Sequence, residues 1–455
     1  MKSNNRMQLL QETKISEALF KLGIPIVISM LVTALYNVVD TYFVSGLGTT
    51  EVAAVSVAFP ISLVFSGLGL TFGVGGGSYI SRLIGGKQKE QAEKVASTAL
   101  ITGGIAAVII AILMIIFLTP LLKFMGATET SLPIAKSYAY PFIISTIFSA
   151  INSAAGNLAV SQGTTTVSMI GMITGAVVNI ILDPLLIYTC NMGVFGAALA
   201  TLIAQVITLC FYLVFFKGGR SYLKFKISNF APSRAIYQEI IKIGLSMLFL
   251  QVLSSISMSL ITKGASAYGD EAVAALGVVL RVITIGSNVI FGYMKGFQPM
   301  AGYNFGAKNY DRLLEAIRCS IKWTTLFGIL WTVVAWIIAS PLISAFGSVP
   351  QFIEIGVRAL RVNTIMFITF GFQFTYSTLY LALGKAAPGM VLNLSRQGIF
   401  FIPVILILPV ILGLDGVIFA QAIADVLTTV LTLLMARKIH KEIQGLKMSK
   451  TPQFQ

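Results

Sequence analysis

The chain has 455 residues, 56% of them hydrophobic and only 11% charged, with a mean hydropathy of +0.87. Soluble domains carry about 25% charged residues, so this composition excludes a water-soluble enzyme domain and points to an integral membrane protein. The formal charge of +15 does not signal nucleic-acid binding, because the basic residues gather at alternate ends of apolar runs rather than in one patch.

Twelve apolar spans read out in chain order, at roughly 19–46, 52–82, 95–118, 134–160, 166–189, 193–216, 240–267, 273–303, 316–339, 355–381, 389–411 and 414–436. Each is long enough to cross a hydrocarbon layer of about 30 Å as a helix. None has the short alternating pattern of a membrane β-strand. One set of span ends carries Lys2, Arg6 and Lys14, then Arg82, Lys87, Lys89 and Lys94. It continues with Lys217, Arg220, Lys224, Lys226 and Arg234, then Lys308 and Arg312, and last Arg437, Lys438 and Lys441. The opposite loops, 46–51, 189–193, 268–271 and 413–416, are short and neutral or acidic. The positive-inside rule then places both termini in the cytoplasm, as an even number of spans requires. A polar N-terminus before a long first span argues against a cleaved signal peptide.

The three cysteines, Cys190, Cys210 and Cys319, offer neither a disulfide framework nor metal-ligand spacing. The single histidine, His440, lies in the basic tail and reads as a solvated juxtamembrane residue. A zinc or haem site is not expected.

The chain repeats itself. A shift of 221 positions lays Lys21-Leu22-Gly23 on Lys242-Ile243-Gly244, Ser45 on Ser266 and Gly48 on Gly269. The same shift lays Val52-Ala53-Ala54 on Val273-Ala274-Ala275, Gly75 on Gly296, Gly85 on Gly306, Lys87 on Lys308 and Gly163 on Gly384. One ungapped shift over this distance implies two parallel repeats of six spans each. The expected fold is therefore an all-α integral membrane protein of 12 transmembrane helices, in two six-helix lobes related by pseudo-twofold symmetry with a midplane cavity. The lobes would span 1–216 and 236–455, joined by a basic cytoplasmic linker at 217–235.

The halves differ in chemistry. Of seventeen carboxylates, Asp40, Asp183 and Asp425 lie well inside apolar spans. Asp40 and Asp183 sit at matching depths on the first and fifth spans, and the shift places apolar residues (Ile261, and Pro403-Val404) opposite both. A carboxylate in hydrocarbon costs roughly 2.5–3.5 kcal/mol on insertion scales, so the pair suggests a cation- or proton-binding site in a transport path. Tyr36 and Asn37 precede Asp40 by one turn, and Asn179 precedes Asp183 by one turn. Thr201 and Gln205 on the sixth span, and Ser149, Asn152, Ser153 and Asn157 on the fourth, offer amide and hydroxyl partners. Such a pair can hold a proton near neutral pH or, with those oxygens, Na⁺. The competing structural reading is that each Asp satisfies a helix break, Asp183 beside Pro184 above all. Asp425 suits a structural or a functional part. Arg281 and Lys295 replace Pro60 and Val74 of the first half; they line a cavity or serve packing, and the structural reading is favoured.

Glycine clusters such as Gly67-Leu68-Gly69 and Gly73-Val74-Gly75-Gly76-Gly77 complete no phosphate-binding register; close helix packing explains them. Without an ATP site, transport is ion-driven or passive.

Leu35-Tyr36-Asn37-Val38-Val39-Asp40-Thr41-Tyr42-Phe43-Val44-Ser45-Gly46-Leu47-Gly48, Asn179-Ile180-Ile181-Leu182-Asp183-Pro184 and Gly193-Val194-Phe195-Gly196 carry a resemblance. The chain resembles the multidrug and toxic compound extrusion (MATE) family, in its bacterial MepA-like branch, over nearly its whole length. The resemblance implies antiport at a bacterial plasma (inner) membrane: a cationic or amphipathic drug leaves as H⁺ or Na⁺ enters, which confers antibiotic resistance. It implies no cofactor and no catalysis, and a cation site of Asp40, Asn179, Asp183 and Thr201. Tyr36, Asn37, Tyr138, Tyr140 and Asn157 are the nearby candidates for a substrate cavity. The expected partners are small-molecule drugs, the coupling ion and membrane lipid, and the two-lobe plan works as a monomer. The alternatives are a lipid-linked saccharide flippase or a dedicated metabolite exporter of the same superfamily.

Overall fold

The computed structural model describes residues 9–125, 127–128, 131–219 and 221–449; Lys2, Arg6 and Arg220 of the basic set lie outside the described residues. Inside hydrocarbon a backbone has no water to bond, so the apolar runs satisfy their N–H and C=O groups as helices. In chain order these are α1 Ile15–Ser45, α2 Thr49–Gly85, α3 Lys89–Ile116, α4 Leu118–Phe124, α5 Leu132–Ser161, α6 Thr165–Pro184, α7 Gly193–Lys217 and α8 Arg234–Ser266. Then follow α9 Asp270–Gly306, α10 Tyr310–Ile337, α11 Ala339–Ser344, α12 Pro350–Ile365, α13 Phe367–Ala382, α14 Ala386–Leu394, α15 Phe401–Leu412 and α16 Leu414–Met448. Wider π-turns at Leu185–Thr189 and Ser395–Ile399 follow α6 and α14. Among the described residues there is no strand.

Among the described residues eleven helices are long and apolar enough to cross a membrane, and the α12–α13 pair, bent by 46°, makes a twelfth when taken as one span. The expected unbroken span at 355–381 is thus two helices. The bend has a local cause: α10 supplies side-chain donors to the α12 backbone. Thr332 Oγ1 donates to the Thr364 carbonyl at 2.7 Å and Trp336 Nε1 to the Arg361 carbonyl at 3.0 Å.

The last span also outruns its expected end at 436, because the basic tail is an amphipathic continuation of α16. Ile439 and Ile443 are buried, Lys447 reaches Asp311 at 2.5 Å and Lys385 reaches Glu442 at 2.5 Å. His440 Nε2 lies 2.9 Å from the Tyr376 hydroxyl, so the lone histidine is held against α13 rather than simply solvated.

The duplication is written into the backbone. Lys87 (φ 60°) and Lys308 (φ 56°) hold left-handed conformations that cost a non-glycine residue about 1–2 kcal/mol. Both close the same helix stop. Gln88 N–H bonds to the Leu83 carbonyl at 2.8 Å and Asn309 N–H to the Asn304 carbonyl at 2.8 Å. Gly163 (φ 77°) and Gly384 (φ 78°) repeat the pattern after α5 and α13.

The chain divides into two compact units, residues 1–12 with 24–248, and residues 13–23 with 249–455. The start of α1 therefore belongs with the second unit and the start of α8 with the first. In the second unit Arg312 Nη2 donates to the Thr13 carbonyl at 2.8 Å, and Phe20 packs edge-on to Trp323 at 4.9 Å. In the first, Arg82 pairs with Glu239 at 2.7 Å and Thr102 bonds Tyr237 at 2.9 Å. The contacts are mirrored at glycines: Gly23 abuts Gly296 in one unit, and Gly244 abuts Gly75 in the other.

Within the first unit α2 packs chiefly on α5, and α5 on α7. Gly69 and Gly73, one turn apart, meet Ala150 and Ala154 of α5 so closely that a Cβ would crowd the neighbour, and Gly77 a turn further on lies against Asn157. Small residues at four-residue spacing let the two backbones approach. Within the second unit α10 packs on α13, α15 on α16, and α9 on α12 and α13.

Candidate functional site

α6 carries the centre of the site. Asp183 is fully buried and Asn179, one turn earlier on the same face, is 2% exposed. With its amide turned to satisfy both neighbours, Asn179 donates from nitrogen to Asp183 Oδ2 at 2.9 Å, and its oxygen lies 3.3 Å from Thr201 Oγ1 on α7. The Thr201 hydroxyl also reaches the Ala197 carbonyl at 3.1 Å. Asp183 Oδ1 receives no hydrogen bond from the protein.

α1 brings the second acid. The Asp40 carboxyl, partly buried, lies within hydrogen-bonding range of the Asp183 carboxyl. Tyr36, one turn earlier, points its hydroxyl at Thr201 and sits beside both acids. Tyr138 of α5 is 6% exposed, close to Asp40, Asp183 and Tyr36, with its ring stacked on Phe142 at 4.9 Å. No lysine, arginine or histidine pairs with either acid among the described residues. Among them there is also no group of three or more His, Cys, Asp or Glu able to hold a metal ion.

Other candidate residues stand apart from this cluster. Asn37 is exposed on α1. Tyr140 is 47% exposed, being two positions, or about 200° of helix, from Tyr138. Asn157 donates to the Ser153 carbonyl of its own helix at 2.8 Å. Asn152 is joined instead to Gln205, donating to its carbonyl at 2.8 Å and to its Oε1 at 2.9 Å.

The π-turn after Pro184 adds a contact that the span pattern does not reveal. It swings Tyr188 toward α1, where the hydroxyl donates to the Phe43 carbonyl at 2.5 Å, one turn past Asp40. Pro184 inside an apolar run is the signal that the helix changes there.

The second unit holds its acid differently. Asp425, 2% exposed, faces Arg396 with Nε 2.8 Å from Oδ1, and Gln421 donates to the same oxygen at 3.0 Å. The Arg396 guanidinium lies 4.4 Å over the Phe370 ring. Gln373 donates to the Asp425 carbonyl at 3.0 Å and to Thr429 at 2.8 Å. Asp425 is thus a paired acid.

A duplicated helical membrane protein whose first half holds two acids with no basic partner among the described residues has the build of a transporter. The MatE family model matches residues 25–185 and 243–407, once on each repeat. The chain belongs to the MatE family. The multidrug export protein MepA of Staphylococcus haemolyticus is 28% identical over 435 residues, covering 95% of this chain and 96% of that protein. Its counterpart from Staphylococcus aureus is 27% identical over 434 residues, covering 95% and 96%. Among solved structures, the outward-facing conformation of a multidrug resistance MATE family transporter of the MOP superfamily matches with a TM-score of 0.90 at 29% identity, covering 97% of this chain and 98% of that one. MATE in complex with MaL6 matches with a TM-score of 0.91 at 28% identity, covering 97% and 99%.

Proposed function

We propose that the chain is a secondary active multidrug exporter that releases cationic or amphipathic compounds in exchange for H⁺ or Na⁺. The exporting half of this reading is supported by relatives named for multidrug export that align over 95% of the chain. The coupling half rests on one observation: fully buried Asp183 has one oxygen held by Asn179, the other without a protein donor, and the Asp40 carboxyl against it. Two carboxylates this close repel when both are ionised, so a shared proton or a cation completes the pair.

The donor set suits either ion. A proton bridges Asp40 and Asp183 directly, while Na⁺ takes oxygen from Asp40, Asp183, Thr201 and an Asn179 amide turned the other way. Tyr36 and Tyr138 border the pair and form the aromatic wall nearest to it, with Asn37, Tyr140 and Asn157 farther out on the same unit. Export follows from linkage: if ion and drug favour opposite states of the carrier, binding of each lowers the affinity for the other. In this reading the protein is a monomer in a bacterial plasma membrane, with both termini in the cytoplasm as the basic span ends require.

The test is ethidium efflux from proteoliposomes with Na⁺ and pH gradients imposed separately, for wild type and Asp40→Asn. One gradient drives the wild type and the variant fails. Equal efflux from the variant refutes the assignment.

A further inference from the structure

α9 carries a polar stripe that its repeat partner lacks. Arg281, Thr284, Asn288, Lys295 and Gln298 recur at three- to seven-residue spacing and are all exposed or partly exposed. At the equivalent positions α2 has Pro60, Leu63, Gly67, Val74 and Gly77. Cations and amides in a membrane span turn toward a polar cavity or protein rather than lipid. The stripe is therefore a face of the second unit suited to a polar cavity or to protein rather than lipid, and its charge is one-signed.

Among the described residues Lys295 is a charge without an acid partner. Arg396 is neutralised by Asp425 at 2.8 Å, whereas no acid pairs with Lys295 or Arg281 among the described residues. Arg281 stands 14 residues away, about 21 Å along the helix, too far to share one ligand group with Lys295.

The ground beside Lys295 is aromatic. Phe291, one turn earlier, packs edge-on to Phe374 at 4.5 Å and to Phe370 at 5.9 Å. Phe370 in turn carries the Arg396 guanidinium. Arg396 beside this cluster is balanced by Asp425, whereas Lys295, one turn along α9 from Phe291, adds a positive charge with no acid partner among the described residues. That combination fits a flat aromatic compound bearing an anionic oxygen group.

We propose that this face of the second unit binds the anionic group of aromatic substrates, with Lys295 receiving the charge and Phe291 and Phe374 offering the flat surface. It deepens the export reading and depends on it for the word substrate, but equilibrium binding tests it without any gradient.

The experiment measures binding of norfloxacin and of its carboxyl methyl ester to the purified full-length protein, for wild type, Lys295→Gln, Lys295→Met and Lys295→Arg. Wild type prefers the acid to the ester by about tenfold or more, the size of one charge-assisted hydrogen bond. Both neutral variants reduce that preference to near one, and Lys295→Arg keeps it. An acid-to-ester ratio near one in the wild type overturns the proposal without recourse to any variant. So does a preference that survives in both neutral variants. Failure of gradient-driven ethidium efflux would refute the antiport reading instead and leaves the binding ratio untouched.

Discussion

Asn179 and Asp183 stand one turn apart on α6, and the amide nitrogen of the first lies 2.9 Å from Oδ2 of the second. It is the donor the protein provides to a fully buried acid. Removing one partner from a buried polar pair costs about 1–3 kcal/mol. Asn179→Leu is therefore expected to lower the melting temperature in detergent and to abolish coupled efflux. Asn179→Asp, which adds a third acid to the pair, is expected to lose efflux as well. A melting temperature unchanged in Asn179→Leu would contradict this account of the bond.

Tyr138 and Tyr140 separate the two faces of α5. Tyr138 is buried beside both acids, and Tyr140 is about half exposed on the other side. Tyr138→Phe, which removes a buried hydroxyl beside both acids, should cut ethidium efflux by about fivefold or more. Tyr140→Phe should stay within about twofold, as a surface change does. Rates measured side by side at equal expression decide it.

Both tyrosines carry the same residue type in the same span, so sequence alone cannot choose between them. Helix phase, fixed by how α5 packs on α2 and α7, makes the choice. Asp40, Asn179 and Asp183 were legible because carboxylates at depth are costly and four-residue spacing defines a face. Gly75 and Gly244 were visible as repeat residues, but their partners were not: each is met by a helix far along the chain. The bend after Ile365 depends on side chains of α10, so an apolar run gives no hint of it. The Arg396–Asp425 pair likewise joins residues on two different spans. The twelve spans and the duplication needed only local hydropathy and one register shift.

A buried ion pair costs most when half of it is removed. Arg396→Leu leaves Asp425 charged and unpaired inside the second unit, at an expected cost of about 3–5 kcal/mol. Replacing both, Arg396→Leu with Asp425→Leu, should recover most of that loss. Thermal unfolding of the two singles and the double gives the coupling; additive losses would mean that the pair does not act as a unit.

Glycine contacts make a sharper steric prediction. A Cβ at Gly75 runs into the Ile240 carbonyl, whereas a Cβ at Gly277 meets nothing within 4 Å. Gly75→Ala should destabilise by about 1–3 kcal/mol, the usual cost of overpacking. Gly277→Ala should be neutral or stabilising by up to about 1 kcal/mol, because alanine suits a helix interior better. Melting temperatures of the two variants should move in opposite directions or differ clearly.

The central claim is that substrate and ion exchange through the Asp40–Asp183 pair. Its most direct test is ion release: ethidium is added to the purified, weakly buffered protein while a pH indicator and a Na⁺ electrode follow the solution. The wild type should release H⁺ or Na⁺ in proportion to ethidium bound, and Asp40→Asn should release neither while still binding. Equal release from wild type and variant would contradict the account.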